Sequence, residues 1–395
     1  MVSLSYNNQT IALTFDDKMI FAYLQSKNII VVVEKNTAPS SGPDNRDNDE
    51  DDSKKTVTYS TSDVSKCGAF FVFACGKYLS LWKLMKLKLI SNRCLQKRAN
   101  KVRFSPNCDS IVVADKSGDV FLFSVKNPLD PGILILGHLS MLLDVIVSPD
   151  EQFIITCDRD EKIRVSLYPN AYNIQTYCLG HEEFVTSLQL LPHSQDILIS
   201  TSGDGSVKLW DFKKGNLIQT IYCSPTSNAT NHEDRQSNDP TNAIVTSSSA
   251  QLKNDESLVC FTVNERKCVV IFKIKGWSDN ITHEEYTLTL ESEPIDILMG
   301  DENILWVVLF EEHLRVEAFT WDNTSFKSIE NVVLSEIVSS INKDLINVKK
   351  VTSKKDMIPL LFKRSFDNVK DYLKRKNDRL CDQNEKKIKI DTSDS

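Results

Sequence analysis

His181, Ser200, Asp204 and Trp210 are the first residues in this sequence whose types suggest chemistry. A histidine placed between a hydroxyl and a carboxylate is how a serine nucleophile is activated. The spacing argues for a different role. Gly180-His181 repeats a Gly137-His138 pair 43 positions earlier. His138 and Asp160 fill the corresponding places there, and Ser166 stands where the later stretch has Trp210. A set that returns with the period of the chain belongs to its architecture. We therefore expect His181, Ser200, Asp204 and Trp210 to share buried hydrogen bonds that pin one strand register, because buried polar groups are costly unless paired. Other chemistry is not signalled. None of the twelve glycines forms a phosphate-cradling GxGxxG or GxxxxGK, and HExxH and GxSxG are absent. The ten cysteines show no CxxC and no metal-ligand spacing, so they read as reduced thiols of an intracellular core. No catalytic, cofactor-binding or metal-binding residue is expected.

A second stretch carries more charge than a strand and turn require. It runs Cys157-Asp158-Arg159-Asp160-Glu161-Lys162-Ile163-Arg164-Val165-Ser166. Asp160 is accounted for by the turn; Asp158, Arg159, Glu161, Lys162 and Arg164 are not. Either they pair with one another, which contributes little at a surface, or they form a patch that docks a protein, where charge sets register and association rate. The residues alone leave both readings open.

The repeat defines the elements that carry both stretches. Pro106, Pro149 and Pro192 are also 43 apart, each between two apolar runs. Proline lacks an N–H for the ladder and belongs in the turn between strands. Trp82, Phe123, Ser166 and Trp210 follow at intervals of 41, 43 and 44 in a shared strand slot, and Phe272 continues the series after a longer gap. Repeats of about 40–45 residues with Gly-His and Trp-Asp marks are WD40 blades, each one four-stranded sheet of a radial propeller. The expected fold is all-β: a WD40 β-propeller of about seven blades over residues 1–341, with a basic C-terminal helical tail over 342–395.

Ile11-Phe15, Met19-Leu24 and Ile29-Val33 read as the first blade, and Ile304-Leu309, Leu314-Trp321 and Val332-Leu334 as the last. Residues 36–56 are rich in Pro, Ser, Asn and Asp and read as a disordered acidic insertion; residues 224–241 read as a polar loop. In the tail, Ser365 is a candidate N-cap, and Phe366, Val369, Tyr372, Leu373 and Leu380 recur at helical spacing. A helix over about 366–388 is expected, with Lys370, Lys374, Arg375 and Lys376 on its basic side. Clustered lysine and arginine are the footprint of a phosphate-backbone contact; a solvated helix on the propeller edge is the plainer alternative. The formal net charge of −7 is therefore unevenly spread. No apolar run approaches the ~20 residues that span a bilayer, and the N-terminus lacks a signal-peptide pattern. A soluble protein of the cytosol or nucleus is expected, and Lys386-Lys387-Ile388-Lys389 resembles a weak nuclear-import signal.

Gly137-His138-Leu139-Ser140-Met141-Leu142-Leu143-Asp144, Ser148-Pro149-Asp150, the run from Asp158 to Ser166, and Tyr177-Cys178-Leu179-Gly180-His181-Glu182-Glu183-Phe184-Val185 go beyond a generic repeat. Together they closely resemble the WD-repeat, non-catalytic subunits of tRNA (guanine-N7)-methyltransferase, the wuho family. Ala114-Asp115-Lys116-Ser117-Gly118-Asp119-Val120 and Ser365-Phe366-Asp367-Asn368-Val369 are similar to it as well. The resemblance implies a heterodimer whose other subunit binds S-adenosylmethionine and methylates guanine N7 in the tRNA variable loop. This chain would stabilise that subunit and help position tRNA. The resemblance places Lys162 to Arg164 at the subunit contact, with Arg164 pairing an acidic residue, Lys162 second to it, and Glu161 and Asp160 orienting them. Arginine suits such a contact because its guanidinium offers two parallel hydrogen bonds to a carboxylate. Arg164 is thus expected on an exposed edge. A nuclear location is expected from the basic C-terminal run, and a structure-specific nuclease partner has been associated with the family. The rival reading is a general WD40 scaffold, such as a ubiquitin-ligase adaptor or chromatin protein. A central pocket ringed by aromatic side chains would favour it.

Overall fold

The computed structural model describes residues 2–7, 10–15, 18–24, 28–33, 60–223, 240–252, 255–277, 280–348, 351, 353–363 and 376. The acidic insertion, nearly all of the polar loop and the expected tail helix, with Lys370, Lys374 and Arg375, lie outside the described residues. Lys376 is an exposed helical residue. The chain divides into two units, 1–362 and 363–395. The first extends past the expected boundary at 341, for reasons given below.

That first unit contains seven four-stranded sheets, each with its strands in chain order and paired antiparallel. They are the blades of a β-propeller: 3–33, 60–94, 99–137, 142–178, 185–222, 244–289 and 294–328. Middle strands are covered on both faces by neighbouring blades, so they read as unbroken apolar runs. Phe70–Cys75 and Ile304–Phe310 are buried almost throughout. Outermost strands meet solvent, and Thr282–Thr289 is correspondingly polar and exposed. Between blades five and six, Ile199, Val207 and Leu209 pack on Val259, Phe261 and Phe272.

Adjacent innermost strands are also tied by side chains that accept a neighbour's backbone N–H. Asp63 accepts from Phe104 at 2.7 Å, Asp144 from Leu188 at 3.0 Å, and Ser248 from Met299 at 2.8 Å. Asp296 accepts from Leu4 at 2.9 Å, which joins the last blade to the first. Among the described residues no strand is exchanged at this closure. The first blade gains an innermost strand, Ser3–Asn7, beyond the three read from sequence, and the last blade has its own four.

Val332-Leu334 is not a strand of the last blade. It begins helix α1, Val332–Leu345, capped by Asn331, whose Oδ1 accepts the Val333 N–H at 2.9 Å. The reason lies in the edge it covers. The outermost strand of that blade is only Phe326–Ser328 and pairs with residues 319–321 alone. Asn342 of α1 takes the place of the missing partner: its Nδ2 donates to Val316 O at 3.0 Å and its Oδ1 accepts the Val316 N–H at 2.8 Å. Ile337, Ile341 and Leu345 then bury against Leu4, Leu13 and Ile20 of the first blade and Trp306 and Val316 of the last. The helix is therefore part of the propeller.

After α1 the chain forms a strap. Ile358–Leu361 is a single helical turn, α2, and Ile358 and Leu361 are buried with Phe184, Ala243 and Val245. Phe362 meets Phe184 edge to face at 5.0 Å. Lys354 pairs with Asp296 at 3.3 Å and Lys355 with Glu293 at 2.8 Å. Two members of the basic C-terminal run thus neutralise propeller carboxylates.

Candidate functional site

In each blade, the link that enters the innermost strand and the connection from second to third strand lie on one face. In blade five, that meeting is made by the four residues of the repeat. His181 Nδ1 lies 2.8 Å from Asp204 Oδ2, and its Nε2 lies 2.7 Å from Ser200 Oγ. Trp210 Nε1 donates to the same hydroxyl at 2.8 Å. Burial alone would raise the Asp204 carboxyl. The His181 hydrogen bond and charge, the Ser206 hydroxyl and the Glu182 N–H outweigh it and hold the group well below the usual carboxylate range. His181 and Trp210 are buried, and Ser200 is wholly so. No substrate reaches this hydroxyl, so the set fixes register.

Blade four keeps the arrangement with two changes. The carboxylate partner of His138 is Asp158, at 2.9 Å from Nδ1, and Thr156 Oγ1 lies 2.8 Å from Nε2. Asp160 does not fill that place. Asp158 ends its strand, and its Oδ1 accepts the N–H groups of Asp160 and Lys162 at 2.9 and 3.0 Å. It closes the turn and is buried, where an exposed charge was expected.

The second change corrects the expectation for Arg164, which is 8% exposed. Ser166 in the tryptophan slot leaves room beside the strand, and the Arg164 guanidinium occupies it. Nε donates to Ser166 Oγ at 2.9 Å, Nη1 to Gly137 O at 3.1 Å and Nη2 to Ala171 O at 2.8 Å. A guanidinium stays charged when buried and needs an acceptor at each nitrogen. Here all three nitrogens have one: two within blade four and the third, Gly137 O, at the end of blade three.

Arg159 is likewise turned inward. Its Nε donates to Leu361 O at 2.9 Å and its Nη2 to Phe362 O at 3.4 Å, which clips the strap to blade four. What remains at the surface is the middle of the connection. Lys162 is exposed, with Nζ 3.3 Å from Asp160 O, and Asp160 and Glu161 are half-buried. Glu161 sits in the left-handed region at φ 60°, which sharpens the turn.

Beside these charges are apolar side chains that sequence reasoning did not single out. Arg159 N–H donates to Met141 O at 2.9 Å, so the link 138–141 lies against the connection, and Leu139 on it is fully exposed. Ile163 pairs with Cys178, which brings Leu179, 61% exposed, to the same end of the sheet. Tyr177 is partly exposed next to it. The signal was present: Leu139 and Leu179 each adjoin a Gly-His turn, where the repeat needs no large apolar residue.

The innermost strands enclose a central cavity of about 370 Å³, bordered by strap residues Lys354, Met357, Ile358 and Leu361. Its walls mix hydroxyl and amide side chains with aliphatic and charged ones, and Tyr6 is the one aromatic side chain among the described residues that line it. Arg103 meets Asp144 at 3.2 Å and Lys101 approaches it at 4.0 Å. Burial pushes the Lys101 ammonium down to about 8 against the pull of Asp144. Among the described residues no cluster of His, Cys, Asp and Glu suits a metal ion, and no helix is long and apolar enough to cross a membrane.

Residues 49–133 and 126–324 match the family described as the tRNA methyltransferase TRM82 WD40 domain. The zebrafish non-catalytic subunit wdr4 of tRNA (guanine-N(7)-)-methyltransferase is 34% identical over 324 residues, 79% of this chain and 76% of the relative. The human subunit WDR4 is 30% identical over 80% of this chain and 75% of its own length. The wuho subunit of Drosophila mojavensis is 44% identical over 130 residues, 33% of this chain and 34% of its own. Among solved structures, a chain of a mitotic checkpoint complex superposes with a TM-score of 0.61 at 13% identity, covering 79% of this chain and 85% of that one. That likeness concerns the fold alone.

Proposed function

This chain belongs to the family of WD-repeat, non-catalytic subunits of tRNA (guanine-N7)-methyltransferase, and from that premise we propose that it docks and stabilises the catalytic subunit through blade four. The observation that carries the proposal is one continuous surface. Lys162, Asp160 and Glu161 lie next to Leu139 and Leu179 on the face where the blade connections meet. Exposed apolar anchors with a charged rim are the composition of a protein interface. The charges set orientation and association rate, and the apolar groups supply burial. Arg164 and Asp158 act one layer below by holding the connection in shape.

The catalytic partner binds S-adenosylmethionine and attaches the methyl group to guanine N7; this chain contributes no reacting group. The tail beginning at Lys363, with Lys370, Lys374, Arg375 and Lys376, meets the tRNA phosphate backbone in the nucleus. Arg159 supports that role by clipping Leu361 and Phe362, from which the tail departs. A general peptide-binding scaffold is less well supported, because the central cavity lacks an aromatic ring of side chains and its border is occupied by the strap. Among the described residues no surface feature favours a nuclease partner in particular.

Reconstitution tests the proposal. The purified chain alone should neither bind S-adenosylmethionine nor methylate tRNA, and adding it to the catalytic subunit should raise methylation. Truncation after Phe362 should weaken tRNA binding by the complex and flatten its salt dependence, since fewer counterions are then released. Methyl transfer by the chain alone, or a salt slope unchanged by truncation, would reject the respective part.

A further inference from the structure

Cys67 and Cys108 stand in equivalent turns of adjacent blades, each joining the innermost strand to the second. The turns are Ser65-Lys66-Cys67-Gly68 in blade two, Ser105-Pro106-Asn107-Cys108 in blade three and Ser148-Pro149-Asp150-Glu151 in blade four. All close alike: the N–H of Gly68, Cys108 or Glu151 donates to the carbonyl of Ser65, Ser105 or Ser148 at 2.8 Å. Each of these fourth residues is left-handed, at φ 72°, 63° and 54°. The shared geometry brings the fourth residue of one turn to the third residue of the turn before it. Between blades three and four that meeting is Glu151 with Asn107, whose N–H and Nδ2 each donate to the carboxylate at 2.9 Å. Between blades two and three the same two places hold Cys108 and Cys67, so the shared turn geometry sets the two cysteines beside each other.

We propose that Cys67 and Cys108 are an oxidation-sensitive pair that forms a reversible disulfide between blades two and three. Cys67 is exposed and Cys108 is buried behind it. Burial tends to raise the Cys67 thiol, but its hydrogen bonding with Ser65, the Ala69 backbone and Cys108 holds it below its ordinary value. Burial raises Cys108. An accessible sulfur with enhanced thiolate character beside a second thiol is the arrangement of a redox sensor and its resolving cysteine. With hydrogen peroxide as oxidant, the Cys67 thiolate attacks one oxygen, the O–O bond breaks and hydroxide leaves, giving a sulfenic acid. Cys108 then attacks that sulfur, the S–O bond breaks and water leaves with the remaining proton. Two thiols are oxidised and one peroxide is reduced to two waters.

The full-length chain, treated with hydrogen peroxide, alkylated and digested without reductant, tests this by mass spectrometry. The expected product is a peptide pair linked through Cys67 and Cys108 that separates on adding dithiothreitol. Oxidation should also raise the melting temperature, because the link joins positions 41 residues apart and restrains the unfolded chain. In Cys108→Ser, Cys67 should stop at a sulfenic acid trapped by dimedone, with no rise in melting temperature. Oxidation of Cys67 while Cys108 of the wild-type chain remains fully alkylated would overturn the proposal. So would an equal rate of oxidation at Cys67 and at Cys94, an exposed cysteine outside the pair.

Discussion

Arg164→Ala removes the donors that meet Ser166 Oγ and Ala171 O inside blade four and Gly137 O at the end of blade three. Leaving buried acceptors unmet should cost about 2–4 kcal/mol, read as a lowered urea midpoint of the isolated chain. Any weakening of the heterodimer should follow from that loss. Lys162→Ala, at the surface, should change stability by less than about 0.5 kcal/mol. A second residue-level prediction concerns acid. The carboxyl of Asp204 sits lower in the folded than in the unfolded chain. Its contribution is therefore full above the ordinary carboxylate pKa of about 4 and lost as pH falls below that. Melting temperature should drop on acidification toward pH 3 less steeply in Asp204→Asn than in wild type; parallel profiles would contradict this. At this scale sequence reading was uneven. His181, Ser200, Asp204 and Trp210 were legible because a repeat announces them. Arg164 was not, because charge suggests exposure, and only the space left by Ser166 makes its burial favourable. Asp158 had a signal that was passed over: it stands 43 positions after Asp115, whose Oδ1 caps its own turn through Ser117, Gly118 and Asp119.

Two elements that close the ring were misread or missed, and both depend on tertiary contact. Val332-Val333-Leu334 is a short apolar run opened by two β-branched residues and reads as a strand on propensity. Ile337, Ile341 and Leu345 recur every fourth residue, which is helical, and the uncovered edge at Val316 explains why the helix is needed there. Ile341→Ala should cost about 2–4 kcal/mol, measured by equilibrium denaturation. A change below about 0.5 kcal/mol, the usual range for surface substitutions, would mean that α1 does not wedge the closure. The strap was legible only as basic charge. Lys354 and Lys355 turned out to face Asp296 and Glu293, partners that sequence separation hides.

For the molecule as a whole, a period near 43 and its proline turns were enough to read a propeller, since every blade must repeat the same burial on both faces. The period could not tell how the ring closes, because closure uses contacts between the two ends of the repeat array. Nor could it choose a docking face. That choice rests on Leu139, Leu179 and Lys162 sharing one surface of blade four. The decisive measurement is the dissociation constant of the purified heterodimer for the triple variant Leu139→Ser, Leu179→Ser, Lys162→Glu, with its melting temperature recorded alongside. We expect binding at least about 100-fold weaker, the loss of ~2.7 kcal/mol that two or three interface anchors carry, with melting unchanged. A variant that melts like the wild type and binds the catalytic subunit as tightly would show that the partner docks elsewhere.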